Sequence, residues 1–309
     1  MKGIVLVVMA LVIQVLHAQP LVRHNLYPFN PDFANPAATG LTDCLVFNAT
    51  DMHQWVGIKD APNIQSFSAQ NGSPVFTTRR QGIGLNLVRD VNGPSKSMGG
   101  EILYSFQVMI GRSQSTWLSF GLSGSLEQNR LDESGFSPVF DPHVSGGMEQ
   151  ELAYNASSGI YLYNYRYFAG VAVYNLLPVN TSLGRGYSGD PYYVSVQGGY
   201  LFTGLELPAT FQTSFQGSLG KGVYQFDLAG RLGFDNHIWI GLTFRKYAGE
   251  FGTSGQNVLV FLGYQWNTWN FAYCYNFDIN GTQFHHYGTH QFSLGYRICR
   301  NIKTCPVYQ

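Results

Sequence analysis

Three histidines near the C-terminus, His285, His286 and His290, have the side-chain type and spacing to hold a divalent metal, but no carboxylate or thiol within a few residues completes a set. A second candidate is acidic. Asp132-Glu133 and Glu149 with Glu151 bracket a long polar stretch where calcium ligation is conceivable and loop solvation is the simpler reading. Motifs of catalysis are missing: there is no G-x-S-x-G elbow, no H-E-x-x-H and no C-x-x-C. Gly82-Ile83-Gly84 has neither the third spaced glycine nor the following helix of a phosphate loop. A hydrolase would need a nucleophile with a matched base, and no serine stands out for that role. The expectation is therefore a protein with no catalytic site, no cofactor and no metal.

The elements that would position these residues explain the composition. Met1-Lys2, the apolar run Ile4–Leu16 (broken only by Gln14) and Ala18 have the layout of a secretory signal peptide over residues 1–18, with Gln19 as the mature start. A membrane anchor would need a longer apolar run of about 20 residues. Charged residues are only 12% of the chain and aromatics reach 15%. Low charge suggests a membrane protein, yet no later stretch approaches the roughly 18 apolar residues of a spanning helix. A transmembrane β-barrel reconciles the two facts. Each strand alternates lipid-facing apolar residues with lumen-facing polar or small ones, so hydropathy averages near zero, here −0.07. Basic and acidic residues balance at 18 each without a basic stripe, which argues against nucleic acid as a partner.

Period-2 alternation runs through most of the chain. Tyr224, Phe226, Leu228, Leu232 and Phe234 share one face, with Gln225, Asp227, Ala229, Arg231 and Gly233 on the other. Strands are expected to start near residues 43, 63, 81, 98, 115, 153, 167, 191, 208, 223, 236, 256, 269 and 289, about fourteen in all and 9–12 residues each. The connections alternate short and long. Short links at 111–114, 164–166, 235–236 and 267–268 alternate with long ones at 128–151, 177–190, 247–255 and 279–288. Short periplasmic turns and long outer loops give that rhythm when both termini are periplasmic. Two links break it: 71–80 reads as long and 220–222 as short. Tyr104, Tyr200, Tyr247, Trp266 and Trp269 suit interfacial girdles. The expected organisation is a signal peptide (1–18), a periplasmic N-terminal segment (19–42), an all-β antiparallel outer-membrane barrel (43–298) and a tail (299–309).

Inside such a barrel, Asp227, Arg231, Asp278 and Arg297 would face the lumen, where they line a channel, hold a plug or pair with one another. Export permits disulfides. Cys299 and Cys305 are close enough in sequence to pair, leaving Cys44 and Cys274.

Two stretches carry a family likeness. The first is Tyr27-Pro28-Phe29-Asn30 followed by Asn35-Pro36-Ala37-Ala38-Thr39-Gly40. The second is Gln54-Trp55-Val56-Gly57-Ile58 followed by Ala61-Pro62-Asn63-Ile64-Gln65-Ser66-Phe67-Ser68. In order and spacing they resemble the N-P-A-x-x-G, Q-W-x-G and A-P-x-x-x-S elements of the PorP/SprF family of Bacteroidetes outer-membrane proteins. Phe168–Leu177 and the G-x-x-[FY]-R-like strand Gly241–Tyr247 extend the likeness along the chain. Leu207-Pro208-Ala209-Thr210 departs from the family's usual Pro-Ser pair, and the tail from Cys299 to Cys305 runs past the usual terminal strand.

The resemblance implies an outer-membrane barrel of the type IX secretion and gliding apparatus. Its implied partners are outer-membrane lipid, periplasmic components including a peptidoglycan-binding protein, and a secreted adhesin or its C-terminal signal domain. A diffusion pore for solutes is the alternative. Asn35 and Pro36 precede strand 1, so they belong at the periplasmic rim or inside the lumen. Gln54 and Trp55 belong at the outer end of the first hairpin. Both motifs read either as folding elements or as a partner-docking rim.

Overall fold

The structure is a computed structural model that describes residues 30–76, 78–110, 116–134, 147–177, 192–202, 209–220, 223–235, 237–248, 254–279 and 285–299. The expected signal peptide and most of the tail, Cys305 included, lie outside the described residues. Among those described, fourteen antiparallel strands close into a barrel, each paired with its sequence neighbours and the first with the last. They are β1 (Cys44–His53), β2 (Asn63–Phe76), β3 (Arg79–Asn92), β4 (Ser95–Ile110), β5 (Thr116–Asp132), β6 (Met148–Tyr163), β7 (Tyr167–Tyr174), β8 (Tyr193–Phe202), β9 (Ala209–Leu219), β10 (Tyr224–Phe234), β11 (Ile238–Ala248), β12 (Ser254–Trp266), β13 (Trp269–Asp278) and β14 (Thr289–Cys299). No helix among them is long and apolar enough to cross a membrane.

The burial pattern inverts that of a soluble sheet. On β10, Phe226 and Leu228 are 46% and 53% exposed, while the interleaved Asp227 is fully buried. Apolar side chains facing outward and polar ones facing inward require lipid outside. Tyr104, Tyr200, Trp266 and Trp269 are on the exposed face. Tyr247 is not: its ring lies over Gly255 on the lumen side. It follows Arg245 in phase, and that strand's inward set includes bulky residues.

β1 and β14 lie side by side with Cys44 opposite Cys299, so both barrel ends share one rim, here the terminal rim. The disulfide is Cys44–Cys299, not the expected Cys299–Cys305. Closure of the sheet, which no local spacing reveals, sets the two cysteines face to face 255 residues apart. Cys274 is buried and carries no disulfide.

The expected long link at 71–80 is corrected. β2 continues to Phe76 and β3 begins at Arg79, leaving only two residues between them at the terminal rim. Gly72, Ser73 and Pro74 look like a loop in sequence, but they are strand residues, with a register irregularity between Pro74 and Phe76. The link after β9 stays short, and β3 and β4 also join at the far rim through only Gly93 and Pro94. β2 to β6 run to 14–17 residues, longer than expected.

Candidate functional site

Before β1 the chain does not stay at the rim. Residues 30–42 run inside the barrel in two short 3-10 turns, Pro31–Phe33 and Pro36–Ala38. Pro36 presets the helical φ at the first position of its turn. Asn35 caps that turn, its Oδ1 accepting from the Ala37 N–H at 2.9 Å. The same side chain reaches the wall, where Nδ2 donates to the carbonyls of Ile160 (3.1 Å) on β6 and Val171 (3.3 Å) on β7. Asn35 and Thr39 are fully buried, as are Ala37 and Ala38.

The wall answers with polar side chains aimed at the segment's backbone. Ser119 Oγ donates to the Ala37 carbonyl and Ser105 Oγ to the Thr39 carbonyl, each at 2.7 Å. Gln107 Nε2 donates to the Thr39 and Gly40 carbonyls at 3.1 Å, and Tyr163 OH donates to Gln107 Oε1 at 2.6 Å. Gln70 Oε1 accepts from the Gly40 N–H at 2.8 Å. Gly40 has φ +64°, which glycine adopts without cost. Close approach also needs glycine in the wall: a Cβ on Gly121 would overlap Ala37, and one on Gly159 would overlap Asn35 Oδ1. The apolar side of the segment, Ala37, Ala38 and Leu41, packs on Tyr161, Tyr163 and Phe168. Deeper in the barrel, Asp32 accepts from Gln70 Nε2 at 3.2 Å. Burial, with a smaller contribution from the Glu101 charge, pushes its carboxyl up to about 7.

The wall from β10 to β13 fills its share of the lumen with its own side chains. Arg245 on β11 lies opposite Asp227 on β10 and clasps it with two bonds, Nε–Oδ1 at 2.8 Å and Nη2–Oδ2 at 2.7 Å. Both side chains are shut off from solvent. Gln225 Nε2 adds contacts at 3.3 Å. Trp239 and Phe261, with ring centroids 5.8 Å apart, pack with Leu259 and Cys274. Between segment and wall a cavity of about 90 Å³ is left, bordered by Pro31, Asn48 and Arg297 among others.

The expected lumen residues thus find different places. Asp227 pairs with Arg245, which the sequence reading did not single out. Arg231 is buried on the lumen face of β10, Arg297 borders the small cavity, and Asp278 ends β13. The signal for Arg245 was present, since it is the arginine of the G-x-x-[FY]-R-like strand and has inward phase.

Gln54 and Trp55 sit at the far rim, in the connection between β1 and β2. That connection is fastened to the one between β13 and β14. Val56 N–H donates to Gly288 O at 2.9 Å, Tyr287 N–H to Val56 O at 2.7 Å, and Trp55 N–H to Thr289 Oγ1 at 3.4 Å. Gln54 N–H donates to Pro62 O at 2.9 Å. Trp55 has φ +47°, a strained value for a bulky residue, and its indole lies 6.4 Å from the His286 ring. The three histidines do not converge. His286 Nδ1 accepts from the Gly288 N–H, and His290 lies against Tyr273 and Tyr275. No group of metal-ligating side chains forms among the described residues. Asp132 is engaged by Ser134, across from Met148 on β6.

A closed barrel with an apolar exterior and a filled lumen defines an outer-membrane β-barrel protein. The chain belongs to the family described as type IX secretion system membrane protein PorP/SprF, whose model matches residues 16–296. No curated protein matches it. Among solved structures it is similar to the CymD monoaromatic hydrocarbon channel, with 10% identity and TM-score 0.51 over 91% of this chain and 94% of that one. A FadL homologue of Pseudomonas aeruginosa gives 11% identity and TM-score 0.49 over 89% and 94%. CdiB from Acinetobacter baumannii gives 10% and 0.49 over 82% of this chain and 60% of that one, so the chain spans about three fifths of CdiB's length. The structural likeness concerns the fold. Fold and family together place the protein in the outer membrane.

Proposed function

We propose that the protein is a closed, non-enzymatic barrel of the type IX secretion apparatus that supports export or surface attachment of secreted proteins through protein–protein contacts. Asn35 to Gly40 carry the reading. A segment tied to the wall through the carbonyls of Ala37, Thr39 and Gly40 occupies the space that a diffusing solute would need. In this reading the terminal rim faces the periplasm, where the short turns meet periplasmic components including a peptidoglycan-binding protein. The far rim, with Gln54 and Trp55, meets the secreted adhesin or its C-terminal signal domain. Three features support it: the family, the filled lumen, and the stiff, strained connection at Trp55, where exposed aromatic surface suits a partner.

The test is a deletion strain complemented with the wild-type chain or with Trp55→Ala. Loss of adhesin display on deletion, restored by wild type and weakened by Trp55→Ala, is expected. Normal display in the deletion strain would overturn the reading.

A further inference from the structure

On the outward face of β3, β4 and β5, towards the far rim, three cations lie close together at the edge of an apolar surface that includes Leu87, Met98 and Leu126. Lys96 on β4 stands directly opposite Arg130 on β5, and Arg89 on β3 stands opposite Met98, two residues further along β4. All three side chains are exposed. They share strand phase with the lipid-facing Leu87, Met98 and Leu126, not with the buried Asn86, Leu103 and Ser123. Like charges directly opposite on one face destabilise a sheet unless something neutralises them.

The protein supplies little neutralisation. Arg89 Nη1 donates to Gln65 Oε1 at 3.1 Å and Arg130 Nη2 to Gln128 Oε1 at 2.9 Å. Both guanidiniums thus bond neutral amides, and each has more N–H donors than these bonds use. One carboxylate shares the face, Asp132, and Ser134 holds it with its N–H at 3.1 Å and its hydroxyl at 2.6 Å. Asp51 on β1 is taken by His53 at 2.8 Å. What remains is a clasp for an anion with more than one charged oxygen, set directly above an apolar surface.

We propose that Arg89, Lys96 and Arg130 bind the phosphate groups of an outer-leaflet lipid whose acyl chains lie along Leu87, Met98 and Leu126. An anion joined to an apolar body fits this face, and a free anion would leave the apolar part unused. The outer-leaflet assignment rests on the reading that the terminal rim is periplasmic.

The experiment uses the full mature chain in detergent, titrated with bis-phosphorylated lipid A, with the same lipid dephosphorylated, and with inorganic phosphate, read by native mass spectrometry. The wild type is expected to retain the bis-phosphorylated lipid at least about tenfold better than the dephosphorylated one, with no competition from millimolar inorganic phosphate. Lys96→Gln/Arg130→Gln should lose that preference. Lys246→Gln, which removes an exposed cation on β11, should keep it. Equal retention of the two lipids, or an unchanged preference in the double variant, overturns the clasp. Full competition by inorganic phosphate overturns the lipid assignment. An epitope at residues 135–146 that is reached only from the periplasm overturns the outer-leaflet assignment and the orientation together, whereas the detergent titration judges the clasp alone.

Discussion

Asn35 and Gly159 interlock. The amide oxygen of Asn35 fills the space that a Cβ at position 159 would require, while its nitrogen bonds the next carbonyl along the strand, that of Ile160, at 3.1 Å. The inner segment and the wall of β6 are fitted to each other at this point. Gly159→Ala should force one to shift, an overpacking cost of about 1–3 kcal/mol. Asn35→Ala removes a cap and two bonds to the wall and should cost about 1–3 kcal/mol. Urea unfolding in lipid vesicles measures both. In planar bilayers the wild type should give no steady large conductance, and the two variants should give intermittent openings. Variants as stable and as silent as wild type would separate the segment from closure.

Asp227 and Arg245 form a buried clasp, so removing one partner leaves a charge buried without its counterpart. Asp227→Ala is expected to destabilise by about 3–5 kcal/mol, and Asp227→Leu/Arg245→Met to recover most of it. A single-variant loss under about 1 kcal/mol would show that water, not Arg245, solvates the carboxylate.

Asp32 has a pH signature. Its carboxyl titrates near 7 in the folded protein against 3.8 ordinarily, chiefly because of burial. The folded state therefore binds the proton more tightly, and this contribution is complete below the ordinary value and lost as pH rises through 7. Between roughly pH 4 and 7 the wild type should lose stability relative to Asp32→Asn, with no further divergence above about pH 8. Urea midpoints at pH 5 and pH 8.5 for both proteins decide it, and parallel values would rule out a buried neutral Asp32.

The Cys44–Cys299 bond ties the first strand to the last. Peptide mapping without reduction should recover the two cysteines in one linked fragment, and Cys44→Ser should cost about 2–5 kcal/mol. Recovery of Cys299 linked to Cys305 would contradict the closure described.

Alternation made the barrel readable from sequence, because a strand between lipid and lumen must repeat every two residues. The alternating segments also gave the count of about fourteen strands, and the short-long rhythm of the connections gave the shared rim of the termini. What escaped was long-range. The Cys44–Cys299 pairing and the Asp227–Arg245 clasp depend on which strands become neighbours. Gly72 falls in a stretch that reads as a loop in a local window, yet it is a strand residue, and it and Gly82 are thinned so that residues 39–42 can pass. The N-P-A-x-x-G stretch was visible as a motif. Its place in the lumen follows from glycines and serines on β4, β5 and β6, which no local pattern connects to it.

A role in secretion is tested by chemical crosslinking in native outer membrane followed by purification of the barrel. Type IX secretion components and a secreted surface protein should be recovered with it, with recovery of the latter reduced by Trp55→Ala. A folded, abundant barrel recovered alone, with neither class of partner crosslinked to it, would contradict that role.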